Sequence, residues 1–176
     1  MANTFLLACG KQIGISLCEP TLIHIAKDII KKAETLGCKI HLPNDVVTSK
    51  TLDGVNKIRS SDVNSCPPDE MIFDCGEKSV DKYLNVINLS KTIVWNGPLG
   101  VFEKEPFHLG TERLAKFIAK KTIDGFLNSV AGGGDTVAAL NKYQLSHEMS
   151  YVSTAGGAFL EWLEGKKLPG LEVLEK

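Results

Sequence analysis

Asn128-Ser129-Val130-Ala131-Gly132-Gly133-Gly134-Asp135-Thr136 decides how this chain folds. A short apolar run ends in three glycines. Asp135 and Thr136 then open a segment with helical spacing that reaches Tyr143. A strand that turns through glycine straight into a helix is the repeating unit of a parallel sheet, because parallel neighbours need a crossover between them. The same rhythm stands on either side. Met71-Ile72-Phe73-Asp74 runs into Cys75-Gly76, after which Ser79 is expected to cap a helix built on Val80, Tyr83, Leu84 and Ile87. Thr92-Ile93-Val94-Trp95 runs into Asn96-Gly97-Pro98-Leu99-Gly100, and a helix follows over Thr111 to Lys121 with Leu114, Phe117 and Ile118 inward. Met149-Ser150-Tyr151-Val152 runs into Ser153-Thr154-Ala155-Gly156-Gly157 and a helix through Glu164. Short apolar strands, each followed by a helix, predict an α/β fold: a Rossmann-like, three-layer α/β/α arrangement around a mostly parallel sheet.

The first third is read by the same rules. Leu22, Ile25, Ile29, Ala33 and Leu36 recur every three or four residues and predict a helix over Pro20 to Leu36, with Pro20 in its first turn and Gly37 beyond its end. Cys38-Lys39-Ile40-His41-Leu42 predicts a strand closed by Pro43-Asn44-Asp45. The polar segment Thr48 to Glu70, with Pro67-Pro68, reads mainly as surface connection. No linker or shift in composition divides residues 1–176, so one domain is expected.

Composition narrows the function. The 176 residues include 20 Lys+Arg and 21 Asp+Glu, a net charge of −1, which argues against a broad nucleic-acid surface. Only Arg59 and Arg113 are arginine, so a site made of several bidentate guanidinium clamps is not expected. No apolar run is long enough to span a membrane. Phe5 to Cys9 lacks the basic flank of a secretion signal and is broken by Gly10-Lys11-Gln12. Cys9, Cys18, Cys38, Cys66 and Cys75 are odd in number and never spaced C-x-x-C, which suits reduced thiols in a cytoplasm. The four histidines show no metal spacing.

In an open sheet, ligands bind outside the carboxyl ends of the strands, and the unusual residues collect there. Turns 96–100, 132–134 and 155–157 each carry glycine between a strand and a helix. Glycine lets a backbone approach a ligand closely, and a helix N-terminus offers free N–H groups to an anion. Together they suggest a polyphosphate ligand, although each turn alone could be no more than a tight connection. Neither G-x-x-x-x-G-K-[ST] nor G-x-G-x-x-G is present, so this is neither a P-loop nor a dinucleotide fingerprint. Asp135 could cap its helix or hold Mg²⁺ beside phosphates. Thr136 could give its hydroxyl to a phosphate oxygen. Glu103, behind the second turn, could accept from ribose hydroxyls or simply be solvated. Trp95 and Phe102 read as core.

These residues resemble phosphoglycerate kinase. Thr92-Ile93-Val94-Trp95-Asn96-Gly97-Pro98-Leu99-Gly100-Val101-Phe102-Glu103 is similar to that family's nucleotide-loop signature. Ala131-Gly132-Gly133-Gly134-Asp135-Thr136 is similar to its phosphate-binding turn. Ser153 to Glu161, continuing through Leu163-Glu164-Gly165-Lys166 and Leu168-Pro169-Gly170, resembles its C-terminal signature. Met1-Ala2-Asn3-Thr4-Phe5-Leu6, Ile13-Gly14, Ser16-Leu17 and Phe73-Asp74-Cys75-Gly76 fit as well, so the resemblance covers essentially the whole chain. It implies reversible phosphoryl transfer between 1,3-bisphosphoglycerate and ADP, giving 3-phosphoglycerate and ATP. Residues 1–176 would be the C-terminal lobe, which binds Mg²⁺ with ADP or ATP. Gly76 would line the nucleoside pocket, Asn96, Gly97, Pro98, Gly100 and Val101 its wall, and Glu103 the ribose. Gly133, Gly134 and Thr136 would bind phosphates, and Asp135 would position the metal. Backbone N–H groups of Gly134, Gly156 and Gly157 would stabilise the transferring phosphoryl group.

The resemblance also carries departures. The family has glycine where Ala155 stands and usually proline where Glu77 stands. It places a glycine run immediately before Met-Ala-Asn-Thr-Phe-Leu, preceded by a strand and a Gly-Ala-Lys turn. It also has a basic N-terminal lobe for the glycerate. By that comparison the lobe is truncated at its start, and the chain alone is expected to lack catalysis. An inactive remnant, or a nucleotide- or phosphate-binding module without catalysis, are the alternatives.

Overall fold

Met71–Asp74, Thr92–Trp95, Asn128–Ala131 and Tyr151–Val152 form strands, as their apolar runs predict. The structure is a computed structural model and describes residues 1–53, 57–153, 156–168 and 173. In chain order the helices are α1 (Ala2–Ala8), α2 (Ile23–Thr35), α3 (Glu77–Asn88), α4 (Leu109–Ile123), α5 (Gly134–Lys142) and α6 (Gly156–Leu163). The strands are β1 (Asp45–Ser49), β2 (Arg59–Asp62), β3 (Met71–Cys75), β4 (Thr92–Asn96), β5 (Asn128–Gly132) and β6 (Tyr151–Ser153). Pro20–Leu22 and Ser146–Glu148 are 3₁₀ turns. Among the described residues the strands make two three-stranded sheets, in the orders β2-β1-β3 and β4-β5-β6.

The expected parallel sheet is the second of these, but Met71–Asp74, expected in it as well, lies in the other sheet, where β3 pairs antiparallel with β1. β4 and β5 pair in parallel with Asn96 opposite Gly132, and β5 and β6 pair in parallel with Gly132 opposite Ser153. The polar ends of all three strands are therefore aligned at one rim. The first sheet is antiparallel throughout, with Val47 opposite Ser60 on β2 and Asp74 on β3. The chain divides into two compact units, residues 1–85 with 99–111, and residues 86–98 with 112–176.

In the first unit Leu6, Ile13, Val46 and Val63 form the buried core, with Leu7, Leu42 and Ile72 against it. Three further parts of it differ from the sequence expectation. Cys38–Leu42 is not a strand, and the strand lies further on, at β1. Pro43-Asn44-Asp45 looked like a stop because Asp45 favours turns. Here the Asp45 carboxylate has a tertiary use that outweighs its propensity: it accepts the Ser79 N–H at 2.7 Å and the Lys78 N–H at 3.1 Å. Asp45 thereby caps α3 from a neighbouring strand. The expected cap, Ser79, lies inside the first turn, where its hydroxyl accepts the Asn44 and Asp45 N–H groups.

Residues 48–70 are likewise more than surface connection, for they contain β2 and bury Val63, Cys66 and Glu70. Polar composition hid this. Glu70 is tolerated inside because Arg59 pairs with it at 3.0 Å and the Thr48 hydroxyl donates to it at 2.6 Å. Finally, α2 forms where expected but turns Ala26 and Ala33 inward. Leu22, Ile25, Ile29 and Leu36 stay 40%, 43%, 45% and 70% exposed. Small side chains let this helix lie close to α1, which packs on it.

In the second unit α4 buries Leu114, Ala115, Ile118 and Ala119, much as its spacing predicts. The Thr122 hydroxyl donates to Ser129 Oγ at 2.8 Å, tying α4 to β5. Ser129 Oγ in turn accepts the Ser150 N–H, and Ser150 Oγ the Ser129 N–H, both at 3.1 Å, which fixes the start of β6. All five cysteines are free.

Candidate functional site

At the carboxyl rim of the parallel sheet, the ends of β4 and β5 and the start of α5 form one hydrogen-bonded cluster. Asn96 Nδ2 donates to the Gly132 carbonyl at 3.0 Å. The Gly97 N–H donates to Thr136 Oγ1 at 2.6 Å. Trp95 Nε1 donates to the Gly97 carbonyl at 2.7 Å and so supports the left-handed backbone there, at φ 94°. Gly133 also has positive φ, 93°, and a Cβ on it would stand 2.7 Å from Asn96 Nδ2. Two glycines of the rim are thus required by backbone conformation and packing.

Gly134 is different. Its φ is ordinary, and a Cβ there would meet nothing within 4 Å. Nothing in the fold asks for glycine at this position. Gly134 is the first residue of α5, Gly133 is the N-cap, and no side chain caps the helix. The Val137 N–H makes the first return bond, to Gly133, so the N–H groups of residues 134–136 lack intrahelical acceptors. Asp135, in the same turn, is exposed and makes no hydrogen bond or ion pair among the described residues. It is not the cap of its helix. Thr136 is fully buried, and its hydroxyl already accepts the Gly97 N–H, so it ties β4 to α5.

Pro98 follows in the chain, and Gly100, Val101 and Glu103 belong to the first unit. There the loop 99–108 is held on β3. The Val101 N–H donates to the Phe73 carbonyl at 2.8 Å. The Leu99 and Gly100 N–H groups donate to the Thr111 hydroxyl at 3.1 and 3.3 Å. Phe107 is fully buried, with its ring 4.8 Å from that of Phe73. Glu103 is exposed on this anchored loop. Gly76, also in the first unit, is buried with its Cα against the Asp45 carboxylate, where a Cβ would collide. The fold therefore has its own reason for glycine at 76. Glu77 opens α3 and is exposed. Gly156 and Gly157 begin α6, and a Cβ at Gly157 would meet nothing within 4 Å. Thr154, Ala155, Pro169 and Gly170 lie outside the described residues.

The residue that sequence reasoning missed is Asp74. It is 2% exposed, accepts the Gly110 N–H at 2.8 Å and the Cys75 N–H at 2.8 Å, and has no cation beside it among the contacts that set its acidity. Burial pushes its carboxyl up to about 6, against the pull of the two N–H groups. Burial, with the Asp74 charge, pushes the Cys75 thiol up to about 12, and Tyr83, bonded to Cys75, is raised by its own burial.

Between the ordinary value of 3.8 and about 6, Asp74 holds a proton in the folded chain that it has lost in the unfolded chain. Stability from this group is therefore full below the lower value and falls as pH rises through the upper one, by about 3 kcal/mol. The difference in denaturation free energy between the parent and Asp74→Asn should trace that fall between the two values. A flat difference would show that the carboxyl titrates normally.

Glycine turns at the carboxyl ends of a parallel sheet, one opening onto a bare helix N-terminus, define an α/β protein of the class that takes its ligand at that rim. The phosphoglycerate kinase family model matches residues 1–166. A phosphoglycerate kinase from Zymomonas mobilis is 55% identical over 175 residues, covering 99% of this chain and 44% of its own length. The structure of phosphoglycerate kinase from Coxiella burnetii superimposes with a TM-score of 0.92 at 46% identity, over 98% of this chain and 44% of that one. The enzyme from Pyrococcus horikoshii OT3 gives a TM-score of 0.79 at 30% identity, over 99% of this chain and 43% of that one. The chain belongs to the phosphoglycerate kinase family, and it spans 44% of the length of the curated relative from Zymomonas.

Proposed function

We propose that this chain is the C-terminal, nucleotide-binding part of a phosphoglycerate kinase, and that residues 1–176 supply the ADP/ATP side of the reaction. The observation that carries this is Gly134: a glycine without steric or conformational need, at the uncapped start of α5, beside an unengaged carboxylate. Room for a Cβ is room for a phosphate oxygen, and the first-turn N–H groups face an anion favourably.

In the assigned reaction, a β-phosphate oxygen of ADP attacks the acyl phosphorus of 1,3-bisphosphoglycerate. The bond to the carboxyl oxygen breaks, leaving 3-phosphoglycerate and ATP. Such a transfer asks the protein for position and for charge stabilisation, not for a covalent intermediate. Gly133, Gly134 and Thr136 hold phosphates through their backbone. Gly134, Gly156 and Gly157 present N–H groups where charge spreads on the transferring group. Asn96, Gly97, Pro98, Gly76, Gly100 and Val101 bound the nucleoside, and Glu103 takes the ribose hydroxyls.

Magnesium is bound by one or two carboxylates together with phosphate oxygens and water, and an exposed Asp135 without a partner in the phosphate-facing turn fits that need. Held there, Mg²⁺ would offset phosphate charge. The glycerate side, with 1,3-bisphosphoglycerate or 3-phosphoglycerate as ligand, is assigned in this reading to residues other than 1–176, which span 44% of the relative from Zymomonas. Five free thiols fit a reducing compartment such as the cytoplasm. No helix among the described residues is long and apolar enough to cross a membrane, and no nucleic-acid partner is proposed.

Calorimetry with Mg-ADP tests the assignment. The folded chain is expected to bind it and, by itself, to show no 3-phosphoglycerate-dependent formation of ADP from ATP. Absence of binding by folded protein would favour an inactive remnant. Robust turnover would show that these residues hold both sides of the reaction.

A further inference from the structure

The loop 99–108, which the nucleotide assignment needs in place, is bordered by one buried carboxylate that hydrogen-bonds just beyond its far end and packs against its start. Asp74 stands at the end of β3. One oxygen accepts the N–H of its neighbour Cys75, and the other accepts the Gly110 N–H, both at 2.8 Å. Gly110 follows the loop in the first turn of α4, and Gly100 stands near the loop's start. Both have their Cα against this carboxylate: a Cβ on Gly110 would stand 2.5 Å from Asp74 Oδ1, and one on Gly100 would collide with the same oxygen. Two glycines distant in sequence are therefore required by one side chain.

A buried carboxyl is expensive to keep. Burial raises its pKa, and the two N–H groups that lower it do not compensate. An apolar side chain would fill the space without that cost, but it could not accept two N–H groups of fixed direction. What the carboxylate adds is geometry, since charge-assisted hydrogen bonds are short and directional.

We propose that Asp74 is a positioning residue for nucleotide binding: it fixes the loop that carries Gly100, Val101 and Glu103, and so sets where the ribose carboxylate stands. This rests on the nucleotide assignment above. The residues proposed for the phosphates, Gly133, Gly134 and Thr136, have no hydrogen bond to Asp74, whose partners are Cys75 and Gly110. Loss of Asp74 should therefore weaken ligands that carry a nucleoside and spare those that are phosphate alone.

The test compares Mg-ADP with Mg-pyrophosphate by calorimetry on the 176-residue chain and on Asp74→Asn, with amide exchange followed at Val101 and Gly110. Asn replaces one acceptor by a donor facing an N–H. ADP affinity should fall about tenfold, pyrophosphate affinity should hold, and exchange at Gly110 should quicken. Unchanged ADP affinity, or an equal loss for both ligands, would overturn the proposal. Should Asp74→Asn fail to fold, Asp74→Ser keeps one acceptor in less volume and must give the same split. A parent that binds neither ligand defeats the nucleotide assignment. Exchange then decides Asp74 alone: faster exchange at Val101 and Gly110 in the variant upholds the clamp, and equal exchange sinks it.

Discussion

Replacing Gly100 with alanine should destabilise the first unit by about 3 kcal/mol or more, among the larger effects a single methyl group can have. The reason is local and specific. The new Cβ would stand 2.6 Å from the Phe73 carbonyl oxygen and collide with the Asp74 carboxylate. Neither neighbour can yield cheaply. The carbonyl is held by the Val101 N–H, and the carboxylate is buried with both oxygens engaged. Moving Asp74 aside would strand a charge inside the protein, which adds to the steric cost. Thermal or denaturant unfolding measures this directly. A variant of parental stability would mean that the loop is not packed on β3 as described.

The opposite outcome is expected at Gly134. Alanine there meets nothing within 4 Å and enters the first turn of a helix at an ordinary φ, so stability should hold or rise slightly. Affinity for Mg-ADP should nevertheless fall about tenfold or more, because the methyl group occupies the space in which a phosphate would approach the free N–H groups. The two alanine variants thus separate glycines kept for the fold from glycines kept for the ligand. Parental affinity in Gly134→Ala would remove the observation on which the phosphate assignment rests.

Much of this was legible in the sequence, and the exceptions share a cause. β4, β5, α4 and α5 follow from apolar runs and helical spacing, which are local signals. The glycine rim followed because turn chemistry is also local. What stayed hidden depends on partners distant in the chain. Asp45 reads as a turn residue until α3, more than thirty positions on, presents N–H groups for it to cap. Glu70 reads as surface until Arg59 and Thr48 meet it inside. Asp74 reads as the polar end of a strand until Gly110 arrives. Spacing could not separate the glycines either: Gly76, Gly100 and Gly133 are demanded by a carboxylate or a side-chain amide, and Gly134 by nothing in the protein. The family resemblance named all four as nucleotide contacts. The structure supplies a protein reason for three of them, and Gly134, like Gly157, has none and so points to a ligand.

The most direct measurement is an amide-resolved NMR titration of the folded chain with Mg-ADP. Progressive shifts should centre on the backbone N–H groups of Gly134, Asp135 and Thr136, with smaller ones at Gly97 and Glu103. The set at residues 134–136 should reappear with Mg-pyrophosphate. Saturating nucleotide that leaves those three amides unmoved, or moves only residues remote from the rim, would contradict the account.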